Sequence, residues 1–225
     1  MKARTAAAAL LPLVLLLGSV ALSASEPAKK PAEPKPAAEP TSPSADGKSA
    51  TPGSGMSPEQ MMQEYMKLAA PGEHHKRLDT MAGKWKTSIT SWMAPGKPPT
   101  ESAGAMEASW VLGGRFMETH YTGNFMGMPF EGRGLDGYDN VTHQYVSNWI
   151  DNMGTMMMSS TGTCDDPCKV LTMKSEGIDP ITHQKMTTRG VTTFVDNNTF
   201  KMEMFEVLPD GKEMKVMELV ANRQQ

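Results

Sequence analysis

The sequence predicts a mainly β fold, an antiparallel up-and-down barrel of about ten short strands preceded by one or two short helices. Three observations predict it. From Gly83 onward, apolar and polar residues alternate with a period of two. Turn-forming clusters of Gly, Asp, Asn, Pro and Thr recur between these runs. No helical pattern interrupts them, so consecutive strands pair as a meander, and closing the meander removes the exposed edges that invite aggregation.

The chain reads in four parts: 1–24, 25–55, 56–82 and 83–225. Residues 1–24 have the form of a signal peptide. Lys2 and Arg4 precede an apolar run from Ala6 to Leu17, and small residues follow around Ala21, Ser23 and Ala24. The expectation is a protein exported to the periplasm or secreted, with no membrane span once the signal is removed. Residues 25–55 are rich in Pro, Ala, Lys, Glu and Ser and contain no aromatic or β-branched aliphatic residue. Such a segment cannot offset its ordering entropy by burial and is expected to be a disordered linker.

In residues 56–82, Ser57-Pro58-Glu59-Gln60 has the features of a capped helix start, and Pro71-Gly72 ends that helix. Met62, Tyr65, Met66 and Ala69 fall on one helical face. A second short helix is expected over about 73–81, and together the helices are expected to cover one mouth of the barrel. Strands are then expected near 84–93, 104–112, 115–123, 130–138, 143–151, 155–163, 169–177, 186–195, 199–207 and 213–223. Gly113-Gly114 fits a two-residue hairpin. Three Asp-x-x-Thr segments begin at Asp139, Asp179 and Asp196. Their aspartates can accept from backbone amides ahead of them, closing turns without a special φ angle. Gly137 to Gln144 and Gly177 to Gln184 share Gly, Asp, Thr, His and Gln at the same offsets, which reads as one good turn used twice.

Gly83-Lys84-Trp85 at the head of the first strand resembles the Gly-x-Trp signature of lipocalins. That resemblance implies a tryptophan closing the barrel base against an arginine of a late strand, here Arg223. A longer series is similar to a bacterial, exported domain-of-unknown-function family with a lipocalin- or calycin-like barrel. It comprises Leu112-Gly113-Gly114-Arg115-Phe116, Pro129-Phe130-Glu131-Gly132, Gly137-Tyr138-Asp139 and Trp149-x-Asp151. The resemblance implies fold and export and carries no activity. Haem-binding relatives of this barrel use a late histidine as iron ligand, whereas no histidine follows His183 here, so no haem or other cofactor is expected.

The net charge of −3 and the absence of a basic cluster give no footprint for nucleic acid. Cys164 and Cys168 are expected to form a disulfide in an oxidising compartment. Without a nearby histidine or third cysteine they make a poor zinc site, and no metal site is expected. The 21 methionines include Met156-Met157-Met158. Neighbours on a strand point to opposite faces, so cavity-lining packing explains them better than copper binding.

Tyr145, Ser147, Trp149 and Asp151 share one strand face and offer an aromatic wall with polar groups. With Arg115, His120 and Glu131, the residues Tyr145, Trp149 and Asp151 are the candidate ligand-binding set. The face on which His120 lies is left open by its mixed alternation, and Arg115 and Glu131 are placed at strand starts, near one rim. The resulting expectation is a noncatalytic protein binding a small apolar or amphipathic ligand. An enzyme with an acid/base site drawn from Arg115, His120, Glu131 and Asp151 is one alternative, and a cell-envelope interaction module is another. No common hydrolase or nucleotide-binding motif is present.

Overall fold

The computed structural model describes residues 55–94 and 96–224. The signal peptide expected over 1–24 and nearly all of the linker expected over 25–55 lie outside these residues. The described chain begins with helix α1 (Pro58–Leu68), followed by the one-turn helix α2 (Glu73–Lys76) and a 3₁₀ turn (Arg77–Met81). Ten strands follow: β1 (Gly83–Ser91), β2 (Thr100–Val111), β3 (Phe116–Phe125), β4 (Met128–Asp139) and β5 (Gln144–Asp151), then β6 (Met158–Cys164), β7 (Val170–Ile178), β8 (Lys185–Asp196), β9 (Thr199–Val207) and β10 (Glu213–Arg223). Each pairs antiparallel with its neighbour in sequence, and β1 pairs with β10, so the sheet is a closed ten-stranded barrel. The predicted fold class is borne out.

Helix α1 starts as its sequence demands. The Ser57 Oγ accepts from the Gln60 amide at 3.3 Å, and Gln60 Oε1 accepts from the Ser57 amide at 2.8 Å. Its apolar face behaves differently from expectation, because Met62, Tyr65 and Met66 are exposed and no residue of α1 is buried. The C-terminal end of the helix is tethered, with the Asn140 amide donating to the Leu68 and Ala70 carbonyls. The mouth is covered instead by α2 and the 3₁₀ turn, whose His75 and Leu78 are buried.

Two local expectations need correction. The β2–β3 connection is a four-residue loop, Leu112–Arg115, because Val111 and Phe116 form the last pair. Leu112, Gly113 and Gly114 all take positive φ there. The Asp-x-x-Thr turns do use their aspartates, with Asp139 accepting from the Val141 amide at 2.8 Å and Asp179 from the Ile181 amide at 2.9 Å. Yet the residue after each threonine, His143 or His183, sits at φ 56°, so these two turns need one left-handed residue after all. Strand β6 starts at Met158, leaving Met156 and Met157 in the loop.

The barrel has a lower end, where α2 lies, and an upper, open end. The lower core gathers Leu78, Met117, Tyr138, Tyr145 and Leu171, and a second cluster of Trp85, Met106, Phe200, Leu219 and Ala221 adjoins it. Trp85 is fully buried; its indole N–H donates to the Met81 carbonyl at 2.9 Å. The Arg223 guanidinium lies 4.2 Å over its ring and donates to the carbonyls of Ala82, Thr80 and Asn197. A disulfide joins Cys164 and Cys168 across the lower β6–β7 turn, with the Cα atoms 5.0 Å apart.

Candidate functional site

Strand alternation decides what faces the interior. On β4 the inward residues are Phe130, Gly132, Gly134, Asp136 and Tyr138; on β5 they are Tyr145, Ser147, Trp149 and Asp151. The glycines have a steric reason. A Cβ on Gly132 would stand 2.1 Å from the Trp149 ring, and one on Gly134 would stand 3.3 Å from it. Trp149 therefore lies flat across β4, with its indole N–H donated to Asp151 Oδ2 at 3.0 Å. Asp151 also accepts from the Met153 amide at 2.9 Å. Together with Tyr121 and Phe130, which meet edge to face, Trp149 forms an aromatic wall on one side of the upper barrel.

The opposite side is not filled. Gly190 shares the inward face of β8 with Thr188 and Thr192, and a Cβ placed on it meets nothing within 4 Å. Above it, at the open end, a cavity of about 250 Å³ is lined by Met156, Met157, Met158, Ser175, Ile178 and Met186. Small-molecule sites begin at roughly 300 Å³; the mouth alone is somewhat smaller, and the unfilled position at Gly190 lies four residues along β8 from Met186 of its lining.

A polar belt crosses the interior between these two sides. Asp136 on β4 pairs in register with Ser147, Ser147 with Ser160, Ser160 with Ser175, Ser175 with Thr188, and Thr188 with Glu206 on β9. Six successive strands thus present one row of hydroxyls with a carboxyl at each end. Ser175 and Thr188 are hydrogen-bonded to each other and buried. Asp136 receives hydrogen bonds from the Thr119 and Ser147 hydroxyls. It sits deep among protein atoms yet retains some accessible surface, as a residue does when it borders internal space. Burial holds the Asp136 carboxyl above the usual carboxylate range, against the opposing pull of those two hydroxyls. Burial raises Glu206 as well, with the charge of Asp179 adding to it.

The candidate set read from sequence separates into distinct places. Trp149 and Asp151 line the upper interior. Tyr145 belongs to the lower plug, where its hydroxyl donates to the His74 carbonyl at 3.2 Å and its ring meets Tyr138. His120 and Glu131 face outward; His120 Nε2 lies 3.0 Å from Glu131 Oε1, and Arg133 stands 3.6 Å from the same carboxyl. Arg115 lies at the lower rim and donates to the Leu112 carbonyl at 3.2 Å. It is not beside Glu131, because β3 begins at the lower end and β4 at the upper. The acid/base constellation of Arg115, His120, Glu131 and Asp151 does not assemble. Among the described residues no group of three His, Cys, Asp or Glu side chains could hold a metal ion.

Asp136, Glu206 and the belt were not singled out in the sequence. One signal was available: Asp136 is in phase with Gly132, Gly134 and Tyr138, so a carboxyl falls on the face of β4 that small residues keep open. The belt itself needs the register of six strands, which alternation within one strand does not supply.

Residues 70–223 match the family described as "Protein of unknown function (DUF1579)". The chain belongs to that family. Among curated proteins none matches this DUF1579 member. Among solved structures it is similar to Rv2717c from M. tuberculosis, at 14% identity and a TM-score of 0.51, over 69% of this chain and all of that one. At that identity the likeness concerns the fold alone. A redesigned beta barrel (16% identity, TM-score 0.35, 66% of this chain and 96% of that one) also matches. So does EF1p2_mFAP2b bound to DFHBI (11% identity, TM-score 0.38, 67% and 98%).

Proposed function

We propose that this DUF1579 member is an exported, noncatalytic barrel that holds a small apolar or amphipathic molecule in its upper half. The observation that carries the reading is the unfilled interior, with open space at Gly190 beneath the methionine-lined mouth. Thioether side chains are flexible and polarisable, so a wall of Met156, Met158 and Met186 adapts to apolar shapes. Trp149 supplies a flat surface opposite, and the belt supplies hydrogen bonds to a polar end. Export is supported by the signal-like residues 1–24 and by a disulfide that oxidising compartments maintain. The scattered positions of His120, Glu131 and Arg115 favour binding over acid/base catalysis.

The test uses N-phenyl-1-naphthylamine, an apolar probe whose fluorescence rises on leaving water. The expected result is a saturable rise at one site per chain, lost in Gly190→Phe, a substitution that fills the interior while leaving the melting curve of the barrel in place. A rise that does not saturate, or one untouched by Gly190→Phe, would overturn the reading.

A further inference from the structure

Among the described residues, the acidic and basic side chains inside the barrel all have one sign above the Arg223 floor. Asp136, Asp151 and Glu206 point inward, whereas the strand lysines and arginines described above that level point outward. Arg133, Arg189, Lys201 and Lys215 each meet carboxylates on the outer face, so none is free to turn in and neutralise the interior acids. A carboxylate enclosed this way is costly, because its hydrogen bonds come from neutral hydroxyls and no cation balances it. A cationic ligand would balance these acids.

The surroundings say where its charge would go. The notional Cβ of Gly134 marks a point 3.3 Å from the Trp149 ring, 3.4 Å from the Thr119 side chain and 3.6 Å from Asp136 Oδ2. The ring packs closely over Gly134, so the indole and the Asp136 carboxyl are neighbours inside the barrel, the pairing that recognises ammonium groups. The indole N–H is already committed to Asp151, which fixes the ring with one face against Gly132 and Gly134 and leaves the opposite face for the ligand. Trp149 pairs across the sheet with Met158, and Met158 lines the mouth cavity, so the ring stands one strand away from the apolar entrance.

We propose that the barrel's ligand is an organic cation, an amine on an apolar body, with the ammonium between Asp136 and the Trp149 face and the apolar body toward the methionine mouth. The assignment rests on the ligand-binding reading above and deepens it. The ammonium supplies the charge that the interior lacks, and it explains why three carboxyls persist inside a barrel built otherwise from methionine, aromatic and hydroxyl side chains. Glu206, at the far end of the belt and beside Met204 and Met214, offers a second contact for a longer diamine.

The experiment compares three naphthalene probes of nearly equal shape by isothermal calorimetry: 2-(1-naphthyl)ethylamine, 2-(1-naphthyl)ethanol and 1-naphthylacetate. The amine is expected to bind at least about ten-fold more tightly than the alcohol, with the acetate weakest, as charge-assisted contacts outweigh neutral ones. In Asp136→Asn the amine is expected to fall to the affinity of the alcohol, with a melting curve run alongside to show that the barrel is folded. Equal binding of amine and alcohol, or preference for the acetate, overturns the cation assignment and leaves the binding cup standing. Binding of none of the three, with N-phenyl-1-naphthylamine also silent, overturns both.

Discussion

The lower and upper halves of one barrel, made of the same ten strands, are packed on opposite plans. Below, large side chains meet large side chains: Trp85 under Arg223, Tyr138 against Tyr145, Leu78 driven in from the 3₁₀ turn. Above, aromatic residues occupy one wall, while Ser, Thr, Gly and Met occupy the other and leave space between. The lower half therefore provides most of the buried apolar area that makes the fold stable. The upper half gives up packing, and the carboxyls in it are a cost that stability alone does not explain.

The largest effect expected from this contrast is below. Trp85→Ala removes the largest fully buried side chain and the ring on which the Arg223 guanidinium stacks, and should lower unfolding free energy by about 3–5 kcal/mol in urea titration. A loss under about 1 kcal/mol would mean that the lower plug is not the foundation described here.

Above, an interior substitution should run the other way. Asp136 has its folded-state pKa raised over its ordinary value of 3.8, so the native state binds more protons than the unfolded state between the two values. Stability from this group is complete below the ordinary value and falls as pH rises through the raised one. Asp136→Asn should therefore flatten that fall and gain on the order of 1–3 kcal/mol at neutral pH. Urea titrations from pH 4 to 8 check it; an Asn variant less stable than the parent at neutral pH would contradict the enclosed, uncompensated carboxyl.

The smallest contrast uses a single methyl group at two inward glycines. At Gly162 a Cβ would stand 2.0 Å from the Thr172 carbonyl oxygen, so Gly162→Ala should cost about 1–3 kcal/mol by forcing strands apart. At Gly190 the methyl meets open space and the backbone is ordinary, so Gly190→Ala should gain about 0.4–1 kcal/mol from the unfolded state alone. Melting temperatures of the pair give the answer, and equal losses would mean that the interior is closed at both levels.

Much of this architecture was legible beforehand, for identifiable reasons. Period-two alternation and Asp-led turns are local signals, and they locate all ten strands from Gly83 to Arg223. The pairing of Trp85 with Arg223 was implied by the resemblance of Gly83-Lys84-Trp85 to the lipocalin signature. What depends on register was not legible. His120 sits on a strand whose two faces are both mixed, and only its partner Arg133 on β4, also outward, shows which way it turns. Tyr145 and Trp149 share a face yet serve different halves, because the four-residue step between them spans about 13 Å along β5. Helix α1 had a clear apolar stripe and still buries none of it against the described residues, which amphipathic spacing by itself does not reveal.

The zipper of β1 against β10 has a consequence for the order of events in folding. Trp85 and Arg223 are the first and last large residues of the barrel, and they stand opposite each other in its closing seam. Until the final strand arrives, β1 and β9 are both open edges and the base tryptophan lacks its lid. Contacts between such distant stretches of chain form slowly, since loop entropy is spent before any of them repays it. A nascent chain not yet extended into β10, the eleven residues Glu213–Arg223, is thus a nine-stranded open sheet with two sticky edges. Deleting those residues should redirect the chain from folding toward aggregation.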